Sequence, residues 1–229
     1  MRRARFFGGW LTLFIASGWV LAQEELPGSG ENSAEPDSLT ASQYSYSIGQ
    51  EIGNSFRSDG VPLDVESLLA GVRDGLNDAQ PKYDKETCGL AMQKMGKFRM
   101  QSHITRNREY LKENSQAEGV KVLPSGLQYK VLQEGTGDTP AAQDRVKAHY
   151  RGQLIDGTVF DSSFERNEPL GTRVDQVIPG WSEALQLMKV GSRWQLVIPS
   201  NLAYGDSGAG GVIPPHSTLV FEVELLGIE

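Results

Sequence analysis

Cysteine is almost absent: Cys88 is the only one among 229 residues, so no internal disulfide can staple the fold. Cys88 itself is expected to be a small buried hydrophobe. Histidine is nearly as scarce. His103, His149 and His216 are scattered without ligand spacing, so no metal site is predicted. There is no G-x-S-x-G turn and no Cys/His pair spaced like a nucleophile and its base, which removes the common hydrolytic arrangements. The glycine-rich run from Gly205 to Gly211 lacks the Lys-Ser/Thr of a phosphate loop and leads into Val212-Ile213-Pro214-Pro215 instead of a helix. It reads either as a flexible surface loop or as a flap beside a pocket. The net charge is −7 with no basic stripe, which argues against nucleic acid as the main partner. Hydrophobic residues make up 38% of the chain, enough for a core and far from the disordered extreme.

What is present begins with an export signature. The basic Met1-Arg2-Arg3-Ala4-Arg5 precedes a run, Phe6 to Leu21, that is almost entirely apolar or small. Val20-Leu21-Ala22 then supplies the small residues that a signal peptidase reads. Residues 1–22 are expected to be a signal peptide. An uncleaved anchor is the rival reading, but the run is short and carries Gly8, Gly9 and Gly18. Cleavage leaves an exported chain with no membrane span, periplasmic, outer-membrane associated or secreted. Residues 23–39 are rich in Glu, Ser, Gly and Pro and read as a flexible tether.

A helical block follows. Tyr44, Ile48, Ile52 and Phe56 recur every fourth residue and share one helical stripe, and Ser58 to Pro62 is a turn. Asp64 is a plausible N-cap for a second stripe of Val65, Leu68, Leu69, Val72 and Leu76. Residues 40–82 thus form a helical module. A longer helix is expected within 83–119, beginning near Asp84, with Cys88, Ala91, Met92, Met95 and Phe98 on one face. From Arg99 on it turns polar, as a solvated helix or stalk would, and Gly119 is its expected stop. These stripes form a small core for a free-standing unit. Either they pack on each other, or two copies pair through them as a homodimer.

From Leu127 the apolar period shortens to two. Leu127, Tyr129 and Val131, then Val146, Ala148 and Tyr150, then Leu219, Phe221, Val223 and Leu225 fit half-buried antiparallel strands. Asp156-Gly157 is a hairpin signal. Trp181, Ala184, Leu185 and Met188 share one helical face, with Gly191 expected to end the helix. The fold class is α+β: a twisted antiparallel sheet wrapped on one short helix over residues 120–229, preceded by an all-α module with a long connecting helix.

Phe160, Trp181, Tyr204 and Ile213 fall at strand ends, helix starts and loops. Each alone reads as ordinary packing, but together they could line an apolar pocket. The segments that carry them, His149-Tyr150-Arg151-Gly152, Asp156 to Ser163, Val177-Ile178-Pro179-Gly180-Trp181, Ala203-Tyr204-Gly205 and Ile213 to Phe221, resemble the signature set of FKBP-type peptidyl-prolyl cis-trans isomerases in order and spacing. The helical block, with Leu123 to Lys130, is similar more loosely to the exported Mip-like branch, in which an N-terminal helical module dimerises.

This resemblance implies an isomerase acting on proline-containing unfolded or exported polypeptides, without a cofactor. It implies that Tyr150, Phe160, Asp161, Val177, Ile178, Trp181, Tyr204, Ile213 and Phe221 line a proline pocket with the Trp181 indole as its floor, and that macrolide-type inhibitors could occupy it. The Tyr204 hydroxyl and the Ile178 N–H would hold substrate carbonyls, and Arg166 would pair with Asp161, an orienting group and neither acid nor base. Leu170 and Gln176 stand where the family often has an aromatic residue and a carboxylate, and Ala209 and Thr172-Arg173 also depart from its pattern, which bears on substrate preference. The alternative is a non-catalytic chaperone or binding module that uses the same groove.

Overall fold

A computed structural model describes residues 39–229, so the expected signal peptide and nearly all of the expected tether lie outside the described residues. The chain divides into two units at Ser47/Ile48, within the first helix.

Three helices open the described chain: α1 (Ala41–Ser58), α2 (Val65–Leu76) and α3 (Lys85–Asn114). The starts of α2 and α3 are set by carboxylate caps. Asp64 accepts from the Ser67 N–H and Asp84 from the Thr87 N–H, each at 2.7 Å, and such a cap stabilises a helix by about 1 kcal/mol. No residue of α1 or α2 is buried, and the one buried residue of α3 is Asn107. Ile48, Leu69, Leu76, Met92 and Phe98 all face solvent. Cys88, expected in a core, is exposed, because these helices bury no hydrophobic side chain. Helix α3 ends at Asn114, before the expected Gly119, which lies in the following turn at φ +78°. Its C-terminal half is also less solvated than its polar sequence suggests, since Asn107 is only 3% exposed.

The strands are β1 (Val120–Val122), β2 (Gln128–Gln133), β3 (Arg145–Leu154), β4 (Val159–Ser162), β5 (Leu170–Arg173), β6 (Arg193–Ile198) and β7 (Leu219–Ile228). They form one antiparallel sheet in the order β1-β2-β6-β7-β3-β4, with β5 also on β3. The period-two pattern carries into burial: Val146, Ala148 and Tyr150 point inward from β3, and Leu219, Phe221, Val223 and Leu225 from β7. Val220, on the alternate face of β7, is buried as well. The Asp156-Gly157 hairpin forms between β3 and β4, closed by the Leu154 N–H to Thr158 O bond at 2.9 Å, with Gly157 at φ +89°.

Helix α4 (Pro179–Leu185) supplies the opposite wall of the core through Trp181, Ala184 and Leu185. It lies close on β6: a Cβ on Gly180 would sit 2.5 Å from Ile198 Cγ2, so no other residue fits without displacing the Ile198 side chain. The helix stops at Leu185, well short of Gly191. The backbone beyond is taken up by the 135–138 loop: Gly137 N–H donates to Val190 O and Val190 N–H to Asp138 O, each at 3.0 Å. Met188 stays fully buried through this turn. Each fully buried Leu, Ile or Val contributes roughly 1.5–3 kcal/mol, so the sheet and α4 hold themselves together.

Candidate active site

Seven segments bring side chains to one hollow of about 520 Å³. Strand β3 contributes Tyr150, β4 Phe160 and Asp161, β5 Leu170, and β7 Phe221. Gln176, Val177 and Ile178 come from the stretch leading into α4, Trp181 from the first turn of α4, and Tyr204 from the loop after β6.

The aromatic rings meet edge to face. Tyr150 and Trp181 have centroids 5.2 Å apart at 88°, Trp181 and Phe221 5.4 Å at 82°, and Phe160 and Phe221 5.5 Å at 83°. T-shaped pairs add about 0.5–1.5 kcal/mol each beyond their area burial and fix ring orientation. Trp181 is 4% exposed, and its indole N–H has no hydrogen-bond partner. Tyr204, at 40% exposure, stands at the rim.

Asp161 is the one carboxylate in the wall. It accepts from the Tyr150 hydroxyl and from the Arg166 guanidinium, and Arg166 Nη2 also donates to the Tyr150 oxygen at 3.0 Å. Burial pushes the Asp161 carboxyl upward, but these hydrogen bonds and the Arg166 charge outweigh it and hold the group below the usual range. Burial, then the bond to Asp161, pushes the Tyr150 phenol up. Arg166 is held further into its charged form by its bonds to Tyr150 and Asp161. At neutral pH the triad is therefore an anion, a neutral phenol and a cation, with no group poised to move a proton.

All but two of the sequence-expected site residues line the hollow. Arg166 stands behind the wall, bonded to Asp161 and Tyr150. Ile213, expected on the wall, is not among the residues lining the hollow; it is 8% exposed in the core cluster that also holds Tyr150, Trp181 and Phe221, and its backbone pairs with Ala209 in both directions at 2.9 Å. The run from Gly205 to Gly211 is therefore folded on Ile213, and a Cβ at Gly208 would lie 2.2 Å from Ile213 O.

Two contributors escape a reading by residue type. Gly152 of β3 lies where a Cβ would come within 2.6 Å of Phe221 and 2.7 Å of Phe160, so its bare backbone lets both rings close. Ser163 is fully buried, accepts from the Tyr150 N–H at 2.7 Å, bonds Tyr150 O at 3.1 Å and pairs with His149 Nδ1 at 2.9 Å. It thereby clamps the tyrosine to the end of β4. Their sequence signal was membership of the segments His149 to Gly152 and Asp156 to Ser163, which carry the family resemblance.

A family model described as FKBP-type peptidyl-prolyl cis-trans isomerase matches residues 137–226, and one described as the domain amino terminal to FKBP-type peptidyl-prolyl isomerase matches residues 41–131. The chain is 47% identical over 194 residues to the FKBP-type 22 kDa peptidyl-prolyl cis-trans isomerase of Escherichia coli, covering 81% of this chain and 94% of that protein. It is 39% identical over 198 residues to the outer membrane protein MIP of Legionella longbeachae, covering 82% of this chain and 85% of that protein. Among solved structures, FkpA from Escherichia coli superposes with a TM-score of 0.54 at 37% identity, over 85% of this chain and 97% of that one.

Proposed function

The chain belongs to the FKBP-type peptidyl-prolyl cis-trans isomerase family, and from that premise we propose how its pocket turns an X–Pro amide. The reaction it catalyses is rotation about that bond, whose barrier of roughly 18–20 kcal/mol is the loss of amide resonance. No bond is made or broken, so the chemistry asks nothing of a nucleophile or a proton donor. The twisted amide is less dipolar than the planar one. A water-poor aromatic hollow therefore disfavours the planar ground state relative to the twisted state, which is differential binding of the transition state. A barrier lowered by about 5–8 kcal/mol gives roughly four to six decades of rate.

The observation that carries this reading is the alternation of edges and faces around the Trp181 indole, with the single carboxylate already held by Tyr150 and Arg166. In the proposal Trp181 is the floor under the proline ring, and Phe160, Phe221, Val177 and Leu170 are its walls. The Tyr204 hydroxyl and Ile178 N–H hold substrate carbonyls, and Tyr150-Asp161-Arg166 keeps the near wall in place. A protease-coupled assay with a proline tetrapeptide tests it. Wild type should accelerate the slow phase, and Tyr204→Phe should lower kcat/KM about tenfold, the worth of one hydrogen bond. An unchanged Tyr204→Phe rate would remove that residue's role.

The substrates are proposed to be exported polypeptides limited by slow proline steps, on the strength of the basic and apolar start of the chain. No helix among the described residues is long and apolar enough to cross a membrane. The exposed apolar stripes of α1 to α3 support pairing of two copies through these helices. Light scattering of the full chain should give a dimer mass, and a monomer at micromolar concentration would refute pairing.

A further inference from the structure

Asn107 is the only buried residue of α3, and a buried amide in the middle of a polar helix needs partners to repay its desolvation. Its Oδ1 accepts from the Thr218 N–H at 2.7 Å, across 111 positions of sequence, and its Nδ2 donates to His103 O at 2.8 Å. Nδ2 also lies 3.2 Å from His103 Nε2, which in turn is 3.1 Å from Ser217 Oγ. The Ser217 hydroxyl donates to Pro214 O at 2.7 Å. One turn of α3 thus grips the segment 214–218.

That segment frames the pocket. At one end His216 N–H donates to Gly205 O at 2.8 Å, next to Tyr204, and His216 itself is held at φ +62°, an uncommon conformation for a side-chain-bearing residue. At the other end Thr218 leads directly into β7 and Phe221. We infer that Asn107 and His103, on the helix outside the pocket, are positioning residues of the isomerase, holding segment 214–218 and through it Tyr204 and Phe221. The inference rests on the pocket assigned above.

His103 joins the network through Ser217. The Ser217 hydroxyl proton goes to Pro214 O, so Ser217 Oγ accepts from His103, which places a proton on Nε2. The Asn107 amide, already donating to His103 O, lies beside that N–H without bonding to it. An Nε2–H is present in the neutral ring and in the imidazolium alike, so the grip does not depend on the charge of His103.

The test is kcat/KM for a proline tetrapeptide at pH 8, with backbone amide exchange at Thr218, on the full chain. Asn107→Ala should lower kcat/KM about fivefold and speed Thr218 exchange. His103→Ala should lower kcat/KM about twofold, and His103→Gln, whose side-chain N–H can donate to Ser217, should recover most of the rate. Wild-type rate and Thr218 exchange in Asn107→Ala overturn the inference. If Asn107→Ala fails to fold, the His103 pair decides: equal rates in His103→Ala and His103→Gln overturn it. An inert wild type sinks the pocket assignment, and Thr218 exchange then still decides whether the grip exists.

Discussion

The sheet with α4 and the helices α1 to α3 both carry apolar residues but spend them differently. In the sheet, apolar side chains from β2, β3, β6, β7 and α4 close one core. In the helices, Ile48, Ile52, Leu69, Val72 and Leu76 are all 42% exposed or more. The first region is complete as one chain. The second leaves apolar side chains of its helices exposed among the described residues, and amphipathic helices draw most of their stability from packing. The difference teaches that the sheet and α4 close a core of their own, while the helices leave their apolar faces exposed, which is the ground for the proposed pairing.

The sharpest way to break that comparison is a matched pair of truncations. Leu185→Ala, fully buried in α4, should cost about 2–5 kcal/mol in denaturant unfolding. Leu69→Ala on α2 should leave the unfolding of the sheet within about 0.5 kcal/mol while shifting a dimer toward monomer in sedimentation. Equal losses of sheet stability would mean the two regions are one cooperative unit.

A smaller effect is expected at Gly152. Gly152→Ala must push Phe160 and Phe221 apart, and kcat/KM should drop more than about tenfold with little change in helix content, since overpacking costs roughly 1–3 kcal/mol. Retained activity would show that the rings have slack.

Smaller again is the titration of Asp161. Its carboxyl is lowered in the folded chain, so the stability it contributes is present above its ordinary value of 3.8 and is lost as pH falls through the lowered value. The Tyr150-Asp161-Arg166 contacts should therefore persist unchanged from pH 8 to 5, followed by the Asp161 side-chain carbon in NMR. An inflection near pH 6 would contradict the assigned pairing. The smallest change is Asp64→Ala, which should fray α2 by about 1 kcal/mol in far-ultraviolet circular dichroism and leave turnover untouched.

Local rules carried much of this molecule into view. Alternation in Val146-Ala148-Tyr150 and Leu219-Phe221-Val223-Leu225 foretold the buried faces of β3 and β7, Asp156-Gly157 their hairpin neighbour, and Asp64 and Asp84 the helix starts. The pocket wall was legible through resemblance, since its residues come from segments that no periodicity links. Long-range polar pairing was not legible. Asn107 meets Thr218 only after the whole sheet has closed, and a polar residue in a polar helix looks solvated until then. The loop around Ile213 was hidden for a related reason: the pairing of Ile213 with Ala209 uses left-handed glycines at Gly208, Gly210 and Gly211, which a composition-based reading of a loop does not resolve. The backbone beyond α4 is held at Val190 by bonds to residues 135–138, some fifty positions upstream, and Cys88 follows a helical stripe left exposed among the described residues.

The central claim, that proline sits on the Trp181 indole, has an internal control in Trp194, which is stacked on Tyr129 with centroids 4.3 Å apart and is not among the residues of the hollow. Titrating a proline tetrapeptide into the ¹⁵N-labelled full chain and following the tryptophan indole N–H resonances reads both at once. The account predicts a saturable shift of the Trp181 resonance with Trp194 unmoved. A stationary Trp181 resonance under turnover conditions would contradict it.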